Sequence, residues 1–279
     1  MTAEAQGDAA PDPVLHRLVD GVAWITLNRP EAGNALTAAM RDQMVVWLEQ
    51  ASADLAVRVV VITGAGEKGF CTGADLRSQG PGPVRPEGAP DRAMGDNARM
   101  IRNGWQRLIS AVLDCEKPVI GAINATAAGG GMHLALACDL VVAAEEAKFI
   151  SVFVRRGIAP DAGGAYLLAR LVGPQKAKEL FFFGDDVPAA EAERIGLVNK
   201  VVPRDRLLEE VGAWATRLAA GPTKAIGVAK YLTNKALESD RAGALWDEAV
   251  AQEQITGTED CAEGLASFAE RRPPSFHGW

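Results

Sequence analysis

Three consecutive glycines, Gly129-Gly130-Gly131, run straight into the apolar stretch Met132 to Ala137, closed by Cys138 and Asp139. Backbone free of Cβ can turn sharply there and come close to a ligand. The first N–H groups of a helix have no intrahelical partner, and the helix dipole makes that end positive. Such a terminus is suited to an oxygen that gains negative charge during a reaction. A tight strand-to-helix turn without a ligand is the competing reading, because glycine clusters also punctuate ordinary loops.

A second segment narrows the choice. Arg58-Val59-Val60-Val61-Ile62-Thr63 is an unbroken β-branched run of the kind that forms a buried strand. Gly64-Ala65-Gly66-Glu67-Lys68-Gly69-Phe70-Cys71-Thr72-Gly73-Ala74-Asp75-Leu76 follows it. Gly64, Gly66 and Gly69 match G-x-G-x-x-G to the letter. A dinucleotide fingerprint also needs a helix opening at those glycines and an acidic residue ending the next strand. Here the chain passes Gly73 and enters a Gly/Pro tract, so the dinucleotide reading is rejected.

Strand-like runs alternate with helical ones. Val22 to Leu27, Val57 to Thr63, Val119 to Ile123 and Leu140 to Ala144 are expected strands. Thr37 to Ala53 carries Met40, Met44, Trp47, Leu48 and Ala51 at helical spacing, and Asn97 to Asp114 is a second expected helix. The rhythm predicts an α/β fold with parallel strands under helices. From Arg206 on the pattern is helical, over Leu207 to Ala220, Lys224 to Glu238 and Arg241 to Thr256. The chain therefore divides into a disordered tail (1–13), a core (14–205) and a helical C-terminal region (206–279) with apolar faces for a core or a neighbouring subunit. Arg77 to Asp96, rich in Gly and Pro, is either a mobile cover over the site or a plain surface insertion.

Composition excludes several classes. Asp and Glu outnumber Lys and Arg 36 to 29. With no long basic run, a nucleic-acid surface is not predicted. No apolar run is long enough to span a bilayer, and the N-terminus lacks the basic and apolar regions of a signal peptide. Cys71, Cys115, Cys138 and Cys261 have neither metal-ligand nor disulfide-scaffold spacing, and read as reduced thiols in a cytoplasmic compartment. With His16, His133 and His277 as the only histidines, no metal site is expected.

The chain resembles the crotonase superfamily, the enoyl-CoA hydratase/isomerase family, over about residues 14 to 276. Ile25 to Pro30 with Asn34-Ala35-Leu36 is similar to that family's opening strand and turn. Gly69 to Leu76 resembles its first active-site loop, and Lys117 to Asn124 with Gly129-Gly130-Gly131 and Ala137-Cys138-Asp139 its second. Ala192 to Asn199, Val201-Val202-Pro203 and the tail Glu263 to Phe268 through Arg271-Arg272-Pro273-Pro274 resemble its later signatures. The resemblance implies a crotonase-like stack of ββα units with a helical C-terminal part for oligomerisation, as a homotrimer or a hexamer. It implies an acyl-CoA thioester substrate, with coenzyme A as part of the substrate and no separate cofactor.

It also assigns a site. The backbone N–H groups of Ala74 and Gly130 form an oxyanion hole for a thioester enolate, and Gly73, Gly129, Phe153 and Leu76 line the substrate. A hydratase of this family uses two glutamates, and their positions here are His133 and Phe153. Phe153 can neither activate water nor deliver a proton. His133 at a helix N-terminus favours its neutral form, able to assist or orient. Asp161, at a position where isomerases of the family carry an acid, is the candidate proton carrier; a helix cap before Ala165 to Leu171 is its other reading. Asp139 and Asp75 are expected to brace structure, and Arg29, Arg77, Arg155 and Arg156 are candidates for the CoA phosphates. The expected reaction is a double-bond shift. The alternatives are a non-standard hydratase or hydrolase using His133, and an acyl-CoA-binding protein without catalysis.

Overall fold

The computed structural model describes residues 12–78, 82 and 84–279. Nearly all of the expected tail, and part of the Arg77 to Asp96 segment, lie outside the described residues. The chain opens with a hairpin, β1 (Val14–Val19) and β2 (Val22–Leu27). Helix α1 (Ala38–Ala53) follows, its first turn capped by the Thr37 hydroxyl, which accepts from the Met40 N–H. Next come β3 (Val59–Gly64), β4 (Gly69–Cys71), α2 (Asp96–Ile101) and α3 (Arg107–Asp114). A second such turn is β5 (Val119–Ile123), β6 (Thr126–Ala128) and α4 (Gly130–Ala137). A third is β7 (Leu140–Ala144), β8 (Lys148–Ile150) and α5 (Gly164–Phe183), the last kinked at Gly173-Pro174. Strand β9 (Asp186–Pro188), α6 (Ala189–Arg194) and β10 (Lys200–Val202) precede four helices, α7 (Leu207–Ala219), α8 (Thr223–Ala236), α9 (Arg241–Ile255) and α10 (Glu259–Glu270).

The first strand of each ββα turn joins a six-stranded sheet, order β1-β2-β3-β5-β7-β10, and the second joins a four-stranded sheet, order β4-β6-β8-β9. Pairing is parallel except in the opening hairpin and at β9. This is the expected ββα stack. The central strands of the large sheet are buried on both faces, which explains the unbroken β-branched run of β3. Val60 and Ile62 pack with Met44, Leu108 and Leu134 on one side. Val59 and Val61 join Ile120 and Val142 under Leu207, Val211 and Ala215 of α7 on the other. The expected boundary at 205/206 thus precedes a helix that completes the core.

The helix expected over Asn97 to Asp114 is interrupted. A π-helical turn, Arg102–Gln106, separates α2 from α3. The widened turn seats Trp105 in the core and leaves Gly104 under the Arg41 side chain, as such bulges often do near functional sites.

Helix α8 is latched to the core by one lysine. Lys230 Nζ lies 2.9 Å from Asp139 Oδ2 and donates to the carbonyl oxygens of Val112 and Lys117. Asp139 also accepts from the Val119 N–H at 2.7 Å, so it ties β7 to β5. Burial pushes its carboxyl up, against the pull of Lys230. Lys230→Met would strand that carboxylate and is expected to cost about 3 kcal/mol in urea unfolding.

Candidate active site

The site grows from two loops that the small sheet brings together. Asn34, fully buried at φ 55°, accepts from the Arg29 N–H and donates to the carbonyls of Ala65 and Gly69. That clamp fixes the approach to β4. Leu36 then pairs with the segment beyond β4: its N–H donates to the Gly73 carbonyl, and its carbonyl accepts from the Asp75 N–H at 3.0 Å. Ala74, between those two bonds, keeps its N–H free of any acceptor among the described residues. Arg29 braces the loop by pairing with Asp75 at 2.8 Å, and that pairing lowers the Asp75 carboxyl. Arg29, a candidate for the CoA phosphates, thus braces this loop.

The second loop meets the first backbone to backbone. Gly73 has φ 99°, and a Cβ on it would lie 3.1 Å from the Ala128 carbonyl oxygen and 3.5 Å from the Gly130 nitrogen. A Cβ on Gly131 would overlap the Cys71 carbonyl, so only glycine lets α4 start this close to β4. Gly129 donates to the Ile150 carbonyl at 2.9 Å, and the Gly130 N–H follows as a free donor among the described residues. Two unpaired main-chain donors from adjacent loops can hold a carbonyl oxygen that becomes an oxyanion. The Cys71 thiol beneath them is pushed up to about 12 by burial and is inert as a nucleophile.

His133 and Phe153 stack on each other, ring centroids 5.2 Å apart, with Phe181 against the imidazole edge-on. The imidazole has no exposed surface, and neither nitrogen has a hydrogen-bond partner among the described residues. It faces the Asp161 main-chain carbonyl without completing a bond to it. Burial lowers its pKa to about 4. The unfolded chain protonates this group near 6.5, so its contribution to stability is complete above pH 6.5 and lost as pH falls through about 4. The total is about 3 kcal/mol. In His133→Leu, urea midpoints are expected to flatten across that window.

Asp161 is half-buried on the loop before α5. The cap of α5 is Gly163, with no side chain involved, so the carboxylate is not spent on the helix. Ala162, fully buried, takes φ 50°, a conformation an alanine rarely adopts and one that clusters at functional sites. Burial pushes the Asp161 carboxyl up, opposed by the Arg41 charge. Arg41 was not among the residues singled out from the sequence; its half-buried guanidinium lies over Trp105, 5.6 Å from the ring centroid. The same indole presses on Gly130, where a Cβ would meet its ring carbons at 2.8 Å. Leu76 projects from the turn after Ala74, largely exposed. Arg155 is held by Asp186 at 3.0 Å. A cavity of 1390 Å³ between α3, α5 and α8 is lined by Gly163, Tyr166 and Leu167, and not by Ala74, Gly130, His133 or Asp161.

A ββα stack that brings two free N–H groups together on adjacent loops is the frame of the crotonase class. The chain belongs to the enoyl-CoA hydratase/isomerase family, whose model matches residues 17–278. It is 37% identical over 266 residues to a Rhodobacter capsulatus protein named "Probable enoyl-CoA hydratase", covering 95% of this chain and 98% of the relative. It is 35% identical, with the same coverage, to the 1,2-epoxyphenylacetyl-CoA isomerase of Escherichia coli K12. The structure of enoyl-CoA hydratase from Bacillus anthracis matches with a TM-score of 0.86 at 34% identity, over 96% of this chain and 100% of that one.

Proposed function

We propose that the chain binds an acyl-CoA thioester and moves a double bond along the acyl group by proton transfer through a thioester enolate. The N–H groups of Ala74 and Gly130 take the thioester oxygen, and Gly73, Gly129, Phe153 and Leu76 border the acyl group. Asp161 removes a proton from C2 of a 3-enoyl group. The electron pair passes to the thioester oxygen, the carboxyl proton exchanges with water, and Asp161 then delivers a proton at C4 to leave a 2-enoyl product. His133, neutral and wedged beside the loop, orients Asp161. Coenzyme A is part of the substrate, and the chemistry calls for no separate cofactor. What carries this reading is the Asp161 carboxylate, which caps no helix and makes no ion pair within 4 Å among the described residues. A single carboxylate suffices when the enolate is held by fixed donors.

The reading extends to a cytoplasmic homotrimer or hexamer. Exposed Trp246, Leu265 and Phe268 on α9 and α10 support an oligomer. No helix among the described residues is long and apolar enough to cross a membrane. Hydration through His133 is the second reading, favoured by the hydratase names of relatives; the sealed imidazole counts against it. A 3-enoyl-CoA incubated in deuterated water decides between them. Deuterium in a 2-enoyl product is expected; with a 2-enoyl-CoA supplied in parallel, a mass gain of one water there without migration of the 3-enoyl bond supports hydration, and both thioesters unchanged but tightly bound support a binder.

A further inference from the structure

A double-bond shift uses only C2 to C4 of the acyl group, and the walls around those carbons decide how much chain can follow. One wall comes from the π-helical turn and from α3 behind it. A Cβ on Gly130, only two bonds from the free donor nitrogen, would lie 2.8 Å from Cζ2, Cη2 and Cζ3 of Trp105. Four residues on, Ile109 Cγ2 would lie 3.3 Å from a Cβ on Gly163, two positions after Asp161. A second wall runs beside it. A Cβ on Gly129 would lie 3.3 Å from Val152 Cγ2 and 3.8 Å from Phe153 Cζ. The His133 ring stacked on Phe153 occupies the place of a Cβ on Gly164. Two bridges of side chains thus span from the donor loop to the loop that carries Asp161.

We propose that Trp105 is a specificity-determining residue that ends the acyl pocket and holds the substrate to a short acyl chain. The inference rests on Gly130 as a donor to an acyl thioester. Carbons bonded to a carbonyl held at Gly130 run within reach of whatever touches Gly130, and the bulkiest such group is this indole. It has no slack to swing aside. The ring is 5% exposed and is seated by the π-helical turn Arg102–Gln106. The Arg41 guanidinium lies over it, 5.6 Å from the ring centroid. Arg41 is hemmed in turn, because a Cβ on Gly104 would lie 2.6 Å from its Nη1. Side chains packed this closely pass strain on instead of yielding room. Phe153 is a poorer candidate for setting chain length: trimming it would unseat His133 from its stack, whereas trimming Trp105 leaves that stack alone.

The test reads binding against chain length. Butyryl-, hexanoyl-, octanoyl- and decanoyl-CoA are titrated into the full chain by calorimetry. These thioesters are saturated, so no double bond can move and affinity is read without turnover. The parent is expected to bind butyryl-CoA at least about tenfold more tightly than decanoyl-CoA, the scale on which an apolar pocket senses added methylenes. In Trp105→Leu the ratio of decanoyl to butyryl affinity should rise about tenfold or more. Trp105→Phe should move it the same way by less, and it carries the test should the leucine variant not fold. A merely structural tryptophan would weaken every length alike. An unmoved ratio in a folded variant therefore overturns the inference, as does a parent that binds decanoyl-CoA as tightly as butyryl-CoA. Those outcomes leave the thioester reading standing. A parent that binds none of the four sinks that reading and this inference with it, and migration retained in Asp161→Asn removes the proton carrier alone.

Discussion

Asp161→Asn is expected to slow double-bond migration by about two to four orders of magnitude while leaving acyl-CoA affinity within a few fold. The substitution keeps the shape and removes only the ability to take a proton. It should also leave the fold alone, because Gly163 caps α5 and, among the described residues, the carboxylate makes no ion pair that the amide would break. A thermal midpoint close to the parent's, together with lost deuterium uptake, separates chemistry from stability. The pH dependence has a definite sign. The base must be ionised, so the rate falls as pH drops through the Asp161 pKa, and burial puts that fall higher than for an ordinary carboxylate. Retained migration in the variant would remove Asp161 from the mechanism.

Much of this site is legible in the sequence, for a chemical reason. A main-chain oxyanion hole demands residues without bulk at fixed places, and Gly73, Gly129, Gly130 and Gly131 declare it. The structure adds which contact each glycine permits, such as the Cys71 carbonyl against Gly131. For Asp161 the sequence leaves a choice between an acid and a helix cap. The position of the cap at Gly163 removes the second reading. Arg41 is not legible at all. It lies on the polar side of an amphipathic pattern and far from Asp161 along the chain, and its burial depends on a π-helical turn that periodicity cannot foresee. The three-residue strands β4, β6 and β8 escape for a related reason: they are too short to show an alternation, although they set the distance between the two loops. The repeat of ββα turns is likewise a repeat of geometry, and its residues differ from turn to turn.

Gly164→Ala should be strongly destabilising, by about 3 kcal/mol or more. Helix propensity alone predicts the opposite, since alanine replaces glycine in the first turn of α5. The loss comes from His133, whose imidazole occupies the place of the new Cβ and has nowhere to go between Phe153 and Phe181. His133→Ala alone leaves a cavity and is also destabilising, by about 2 kcal/mol. The double variant should be more stable than the sum of the two losses, by about 2 kcal/mol, because each change relieves the other. The sign of that coupling bears on the chemistry. If the imidazole is locked, His133 acts on the reaction only through the loop it supports, and proton transfer falls to Asp161. If Gly164→Ala unfolds no more easily than the parent in urea, the ring can swing out of its slot. His133 would then regain a route to water, and the hydration reading would gain its missing base.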